Sequence, residues 1–338
     1  MARTTGVVNT KSPMELNLSI NILFDCFIKI VDFHFTKILD YPLFFAIFAF
    51  LFSNIMETKT KNLLAIHIAV LLFGFAGLFG KWVDLPAVLI VFGRVFFAAV
   101  FLFLYMLFAK KSFRLNTKSD YFTLFFAGSL LAFHWFTFFY SIQISSVAIG
   151  ILGVSTFSIF SALLESFFFK EKFCYKNLIP AFLSVIGIYI ILPEFSFENN
   201  ITQGLFWAIL SGLAFALISF LNRKQVQRYS GSIVAFFQDI SATIVLIPIL
   251  FLVDFKLSWT ATGQLILLGG VFTAVAHTLF INGLNAIKVH KASVIANMEP
   301  VYGIIFAFFL LNERPEWNIL LGGAIIVGMA FWVSLSKK

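Results

Sequence analysis

Arg94, Glu165, Asp239 and Glu299 interrupt long apolar stretches of this chain, and so do His67, His134 and His277. Apolar residues flank each of them on both sides, so each needs a buried partner or water, because an isolated charge in an apolar medium is very costly. Their chemistry is limited but specific. A carboxyl can carry a proton or meet a cation, an imidazole can do either job near neutral pH, and a guanidinium takes a carboxylate through two parallel N–H bonds. Uncharged polar residues gather around the same positions. Ser155, Ser158, Ser161 and Glu165 recur at helical spacing and share one face. Asn297, Pro300 and Gly303 share another, with Glu299 beside the proline. Proline removes a backbone donor and kinks a helix, leaving carbonyls that need partners. His134, Thr137 and Ser141 lie on one face next to Trp135, and His277 pairs in the same way with Thr273.

Each feature has a plainer explanation. Serines let apolar helices pack closely and hydrogen-bond across a bundle. Glu165 lies near a helix end, from which it can snorkel to the interface. Glu299 and Arg94 can form a structural ion pair, and Arg94 can equally neutralise Asp239. Glu313 is expected to pair with Arg314 at a helix end.

The elements that position these residues follow from composition. Of 338 residues, 60% are hydrophobic and only 12% charged, and 48 are Phe. A soluble domain is about 25% charged, so soluble, disordered and fibrous classes are excluded. A hydrocarbon core about 30 Å thick needs about 20 apolar residues per helix. Ten such runs are predicted, at about 63–80, 86–108, 121–140, 146–169, 177–193, 204–221, 232–253, 263–284, 292–311 and 317–335. They are continuously apolar rather than alternating, which argues against a barrel. The expected fold class is therefore an all-α integral membrane protein, with the lipid bilayer as its main partner.

Loop charge sets the orientation. If the runs alternate, nearly all loop lysines and arginines fall on one side, and only Lys81, Lys256 and Arg314 fall on the other. The positive-inside rule places the start of the first run and the C-terminus in the cytoplasm. The same bias accounts for the formal net charge of +8 without nucleic acid. The sequence also repeats at one constant separation: Lys81 aligns with Arg223, Gly128 with Gly270, Val147 with Val289 and Glu171 with Glu313. Each copy holds five runs, an odd number, so the second copy enters the membrane upside down. Inverted repeats of this kind mark many secondary transporters. The expected domains are an N-terminal extension at 1–61, a first repeat at 62–194 and a second at 203–336. The extension contains Asp25, Asp32 and Asp40 and only a short apolar run at Leu43–Ile55. It is read as translated upstream sequence ahead of a start at Met56, in preference to a surface-lying helix.

Enzyme signatures are absent from the sequence: there is no H-E-x-x-H, G-x-S-x-G or Walker A motif. Cys26 and Cys174 suit neither a disulfide framework nor a zinc site. No enzymatic activity, metal or cofactor is expected.

Gly270–Trp332, with its Glu299-Pro300 step, its Asn312-Glu313 turn and its glycine-rich last run, resembles the second repeat of the EamA family in the drug/metabolite transporter superfamily. The first repeat is similar through Arg94, Tyr140 leading to SSVAIG, the Lys170-Glu171-Lys172 turn and Gly187. The resemblance implies ten helices in two inverted repeats, both ends cytoplasmic, moving small organic metabolites and often exporting them. Two departures stand out. Phe73-Gly74 replaces the usual Trp-Gly, and Phe157-Ser158 stands where a proline is common, which implies a less kinked fourth helix.

The sequence thus predicts an inner-membrane secondary transporter of small, amino-acid-like solutes, working by alternating access through a hydrated central chamber. Arg94, His134, Ser155, Ser158, Glu165, His277, Asn297, Glu299 and Pro300 are the candidate pathway residues. Proton coupling through Glu299 and simple facilitated exchange are both consistent with the sequence, which leaves the oligomeric state open. The competing functions are transport of nucleotide- or lipid-linked sugars, which would call for more basic residues around the chamber, and a non-transporting scaffold or receptor.

Overall fold

The computed structural model describes residues 58–169, 178–192 and 196–336. The extension read from the sequence lies outside these residues except for its last positions, because α1 already begins at Thr58. Glu171 and the two cysteines also lie outside them.

Among the described residues all regular structure is helical. The first span is α1 (Thr58–Ala76) followed by the short α2 (Phe79–Trp82). Next come α3 (Ala87–Phe108) and α4 (Lys118–Ile144). The fourth apolar run folds as two pieces, α5 (Val147–Val154) and α6 (Phe157–Phe169), and α7 (Leu178–Ile191) closes the first half. The second half opens with α8 (Asn200–Gln225) and α9 (Gly231–Leu246), and α9 runs into a 3-10 turn at Ile247–Phe251. The eighth run is α10 (Trp259–Gly269), a π-helical stretch at Gly270–Val275, and α11 (Ala276–Gly283). Last come α12 (Val289–Ala296), α13 (Glu299–Leu311) and α14 (Trp317–Ser336). Among the described residues eight helical spans are long and apolar enough to cross a membrane, and α7 and α14 contribute shorter apolar segments.

Local sequence explains where these helices start and stop. Thr117, Ser146, Asn199 and Ser258 cap α4, α5, α8 and α10 by accepting backbone N–H bonds from the first turn. Pro248, which lacks a backbone donor, stands where the α-winding of α9 gives way to the 3-10 turn. Asn312 takes a left-handed conformation (φ 54°) to end α13.

The principal packing pairs join the two halves of the chain. α4 lies against α8 and α9, α3 against α9 and α10, α1 against α11 and α13, α5 against α8 and α13, and α7 against α14. Exchanging the halves maps each of these pairs onto itself or onto another packing pair of the structure. Glycines allow the closest approaches: at Gly74, where α1 meets α13, a Cβ would lie 3.1 Å from the Gly303 nitrogen. The outer surface is apolar. Phe108, Phe122, Tyr189, Trp259 and Trp317 are exposed, as lipid-facing and interfacial aromatics are. Polar side chains are turned inward, and the center of the bundle buries Arg94, His134, Asp239 and His277.

Candidate functional site

The interior polar groups are arranged around two broken helices. The chain departs from α-winding at Ser155–Thr156, between α5 and α6, and again at Asn297–Met298, between α12 and α13. By the repeat alignment, Ser155 corresponds to Asn297 and Ser158 to Pro300. The first break forms without proline, which differs from the less kinked helix implied by the sequence. Two hydroxyls supply a local reason: Ser155 Oγ donates to the Leu152 carbonyl (2.7 Å) and Thr156 Oγ1 to that of Gly153 (2.6 Å). Such side-chain bonds compete with the helical ladder. In the second break Pro300 occupies the first turn of α13, where its missing N–H costs nothing. The breaks meet where Ser158 Oγ donates to Asn297 Oδ1 (2.7 Å), and Asn297 Nδ2 is buried without a partner.

Next to this junction, five helices bring ionisable side chains together. Arg94 on α3 is fully buried. Its Nε donates to Thr273 Oγ1 (3.0 Å), and its guanidinium lies 3.4 Å from the center of the Trp135 ring, a cation–π contact. Both terminal nitrogens of Arg94 lack hydrogen-bond partners. Asp239 on α9 and Glu299 at the start of α13 are within electrostatic range of the guanidinium, as are His134 on α4 and His277 on α11. Asp239 is fully buried, and neither of its carboxylate oxygens has a hydrogen-bond partner. Its Oδ1 lies 3.9 Å from His277 Nδ1, too far for a hydrogen bond. His134 is held more firmly: its Nδ1 lies 3.0 Å from the Ser211 carbonyl oxygen and 2.7 Å from Ser211 Oγ, which donates back to the His134 carbonyl (2.9 Å).

Aromatic rings enclose the cluster. His134 stacks on Phe215 at 4.9 Å, and Phe73 contacts Trp135 and Phe280. The cavity between them is lined by Phe73, Phe138, Phe215 and Val154 on its apolar side and by Trp135, His134 and Glu299 on its polar side. It has room for about one water molecule. Among the described residues, aromatic side chains thus occupy the space beside the cluster where the sequence predicts a hydrated chamber.

Of the candidates read from the sequence, the structure gathers Arg94, His134, His277 and Glu299 into one cluster. It pairs Ser158 with Asn297 beside them and places Pro300 in the adjoining first turn. Ser155 is buried but satisfied within its own helix. The Glu165 side chain lies outside the described residues. Asp239 carries the same sequence signal as Glu299, a carboxyl inside an apolar run, and the structure adds it to the cluster. Trp135 stands out in the sequence only as a neighbor of His134, and nothing in the sequence marks Ser211.

One end of the bundle is tied by a second polar cluster. Glu313, in the turn after α13, accepts the Val147 N–H at the start of α5 (3.1 Å to Oε2). Lys81 Nζ donates nearby to the carbonyls of Ser145 (3.0 Å) and Gln143 (3.3 Å). Glu313 thus caps a helix, in place of the Arg314 pairing expected from the sequence. Burial raises its carboxyl above the ordinary value, against the downward pull of the Val147 and Ala148 amides and Lys81. A raised carboxyl favors the protonated form in this conformation. Its stabilisation is complete below about pH 4.5, the ordinary value, and fades as pH rises through the raised one. Glu313→Gln should keep the cap and remove this pH dependence, and Glu313→Ala should cost about 1 kcal/mol. Melting curves of the three proteins across pH in detergent check both expectations.

Comparison with known proteins places this arrangement in context. A family profile described as "EamA-like transporter family" matches residues 60–192 and 202–335. An "Uncharacterized transporter YxxF" of Bacillus subtilis (strain 168) is 27% identical over 280 residues, covering 81% of this chain and 90% of that one. An "S-adenosylmethionine uptake transporter" of Rickettsia conorii is 22% identical over 249 residues, covering 74% of this chain and 83% of that one. A solved structure described only as "Crystal structure of protein" aligns with a TM-score of 0.60 at 17% identity, covering 80% of this chain and 95% of its own. At that identity it shows a shared fold.

Proposed function

The chain belongs to the EamA-like transporter family, and from this premise we propose that it carries small amino-acid-derived solutes across the cell membrane by alternating access through the Arg94 cluster. One observation carries this reading. A completely buried guanidinium offers two unpartnered terminal nitrogens beside two carboxyls and two imidazoles, all at the junction of two broken helices. Intramembrane ionisable groups with open hydrogen-bonding capacity are the usual sign of a solute or ion pathway. The donors of Arg94 suit a carboxylate, Glu299 suits an ammonium group, and the surrounding rings suit an apolar body. The relatives named for S-adenosylmethionine add support, since that molecule presents all three features.

In this reading ten spans form two inverted five-helix repeats, and the basic loops, together with both ends of the membrane-embedded part, face the cytoplasm. The packing pairs that interchange between halves support such a two-fold relation. The breaks at Ser155–Thr156 and Asn297–Met298 are the pivots, and the closed aromatic cage is the solute-free occluded form. Solute gradients set the direction, so export, expected from the sequence, and uptake, named in the Rickettsia relatives, are the same cycle run in opposite senses.

The test is counterflow. Protein reconstituted into liposomes preloaded with unlabelled S-adenosylmethionine should accumulate external labelled S-adenosylmethionine transiently, and protein-free liposomes should not. If neither S-adenosylmethionine nor methionine exchanges, the proposal fails.

A further inference from the structure

The charges in the central cluster do not balance. Arg94 contributes one positive charge, and Asp239 and Glu299 contribute two negative ones when ionised. With His134 and His277 neutral, the sum is one negative charge. No other charged side chain among the described residues faces the cluster: Arg94 comes from α3, His134 from α4, Asp239 from α9, His277 from α11 and Glu299 from α13, while the π-helical stretch adds only the hydroxyl of Thr273. His67 on α1 is exposed. A net charge sealed among Phe73, Phe138, Phe215 and Phe280 would be costly, because the surrounding medium cannot solvate it. Of the two carboxyls Asp239 is the fully buried one, with both oxygens unpartnered, while Glu299 is half-buried, and Asp239 lies beside an imidazole with no hydrogen-bond partner on either nitrogen.

We propose that the cluster closes only with one added positive charge, supplied either by a proton on Asp239 or by a second cationic center on the solute. This rests on the transport reading above and names its substrate class. A plain zwitterion brings a carboxylate to Arg94 and an ammonium to Glu299, adding no net charge, so the proton stays on Asp239. An amino acid with a second, fixed positive charge brings one more cation. That cation takes the place beside Asp239, and the proton leaves to solvent. The protein therefore exchanges one proton for each monocationic solute and none for each zwitterion. The rings that line the adjoining cavity, those of Phe73, Trp135, Phe138 and Phe215, suit a soft, weakly hydrated cation such as a sulfonium, which gains from contact with ring faces.

S-Adenosylmethionine and S-adenosylhomocysteine are suitable probes because they differ by one methyl group and one positive charge. Calorimetric titration of the purified protein in buffers of different ionisation enthalpy should show about one proton released per S-adenosylmethionine bound and none per S-adenosylhomocysteine. Between about pH 5.5 and about pH 7, below the range where an α-amino group loses its proton, affinity for S-adenosylmethionine should rise about tenfold per pH unit. Affinity for S-adenosylhomocysteine should stay flat. Asp239→Asn mimics the protonated carboxyl. It should abolish the proton release and weaken S-adenosylmethionine about tenfold or more relative to S-adenosylhomocysteine. Equal proton counts for the two probes, or wild-type proton release from Asp239→Asn, would overturn the proposal. So would binding of methionine or S-adenosylhomocysteine without S-adenosylmethionine. Failure of the transport reading looks different, because then neither S-adenosylmethionine nor methionine exchanges across vesicles.

Discussion

Arg94→Ala is expected to reduce counterflow by about a hundredfold or more. Truncating one member of a buried, hydrogen-bonded charge group costs about 2–5 kcal/mol, and here the loss falls on two partners together. The substitution removes the donors offered to a solute carboxylate. It also leaves the buried Asp239 and the half-buried Glu299 without the guanidinium, the positive group acting on both. Arg94→Lys separates the two effects. It keeps the charge but loses the forked donors, the Nε bond to Thr273 and the flat stack on Trp135. It should fold like the wild type and transport about tenfold more slowly. Size-exclusion profiles and melting curves in detergent report folding, and initial rates against concentration report the site. Wild-type rates in Arg94→Ala would place the solute path elsewhere.

Gly128→Val is expected to have the largest effect on stability. A Cβ at this position would lie 2.5 Å from the Gln238 carbonyl oxygen, 2.6 Å from Ser241 Cβ and 3.2 Å from the Ala242 nitrogen. Two of these atoms belong to the α9 backbone and cannot swing aside as a side chain could, so α4 and α9 would have to separate. Overpacking typically costs about 1–3 kcal/mol, and a clash with backbone belongs at or above the top of that range. The displaced helix also carries Asp239, so transport should fall with stability. Gly263→Ala is the control: a Cβ there meets nothing within 4 Å, and alanine favors the helix. A clear drop in melting temperature for Gly128→Val and none for Gly263→Ala is the expected pair of results.

The site was legible in the sequence as far as lipid makes polarity conspicuous. Arg94, Glu299, His134 and His277 stand out because charge and imidazole are expensive in long apolar runs, and the structure brings them together. Pro300 marked one helix break directly. Its counterpart at Ser155–Thr156 was hidden because hydroxyl-to-carbonyl bonds open the helix there, and serine and threonine also occur in unbroken helices. Ser211 escaped notice because its role is to hold His134 from another helix, a contact with no local pattern. Glu313 carried a charge signal, but its partner is a backbone N–H far away in sequence, so a neighboring arginine looked like the natural mate. Composition and repeats suggested a chamber, yet whether its walls stand apart depends on the rotamers and tilts of one conformation, and the sequence is common to all of them.

The widened turn at Gly270–Val275 has a consequence for motion. A π turn houses one residue more than the helix needs, and the Thr273 hydroxyl bridges this one by donating to the Leu268 carbonyl (2.8 Å). Rewinding that surplus into regular helix would twist everything beyond it by about 100°. His277 would then leave its place next to Asp239, while Arg94 would lose the hydroxyl that steadies it. A single spare residue stored in one helix can thus act as a rotary catch, dismantling the cluster from one side without bending any other span.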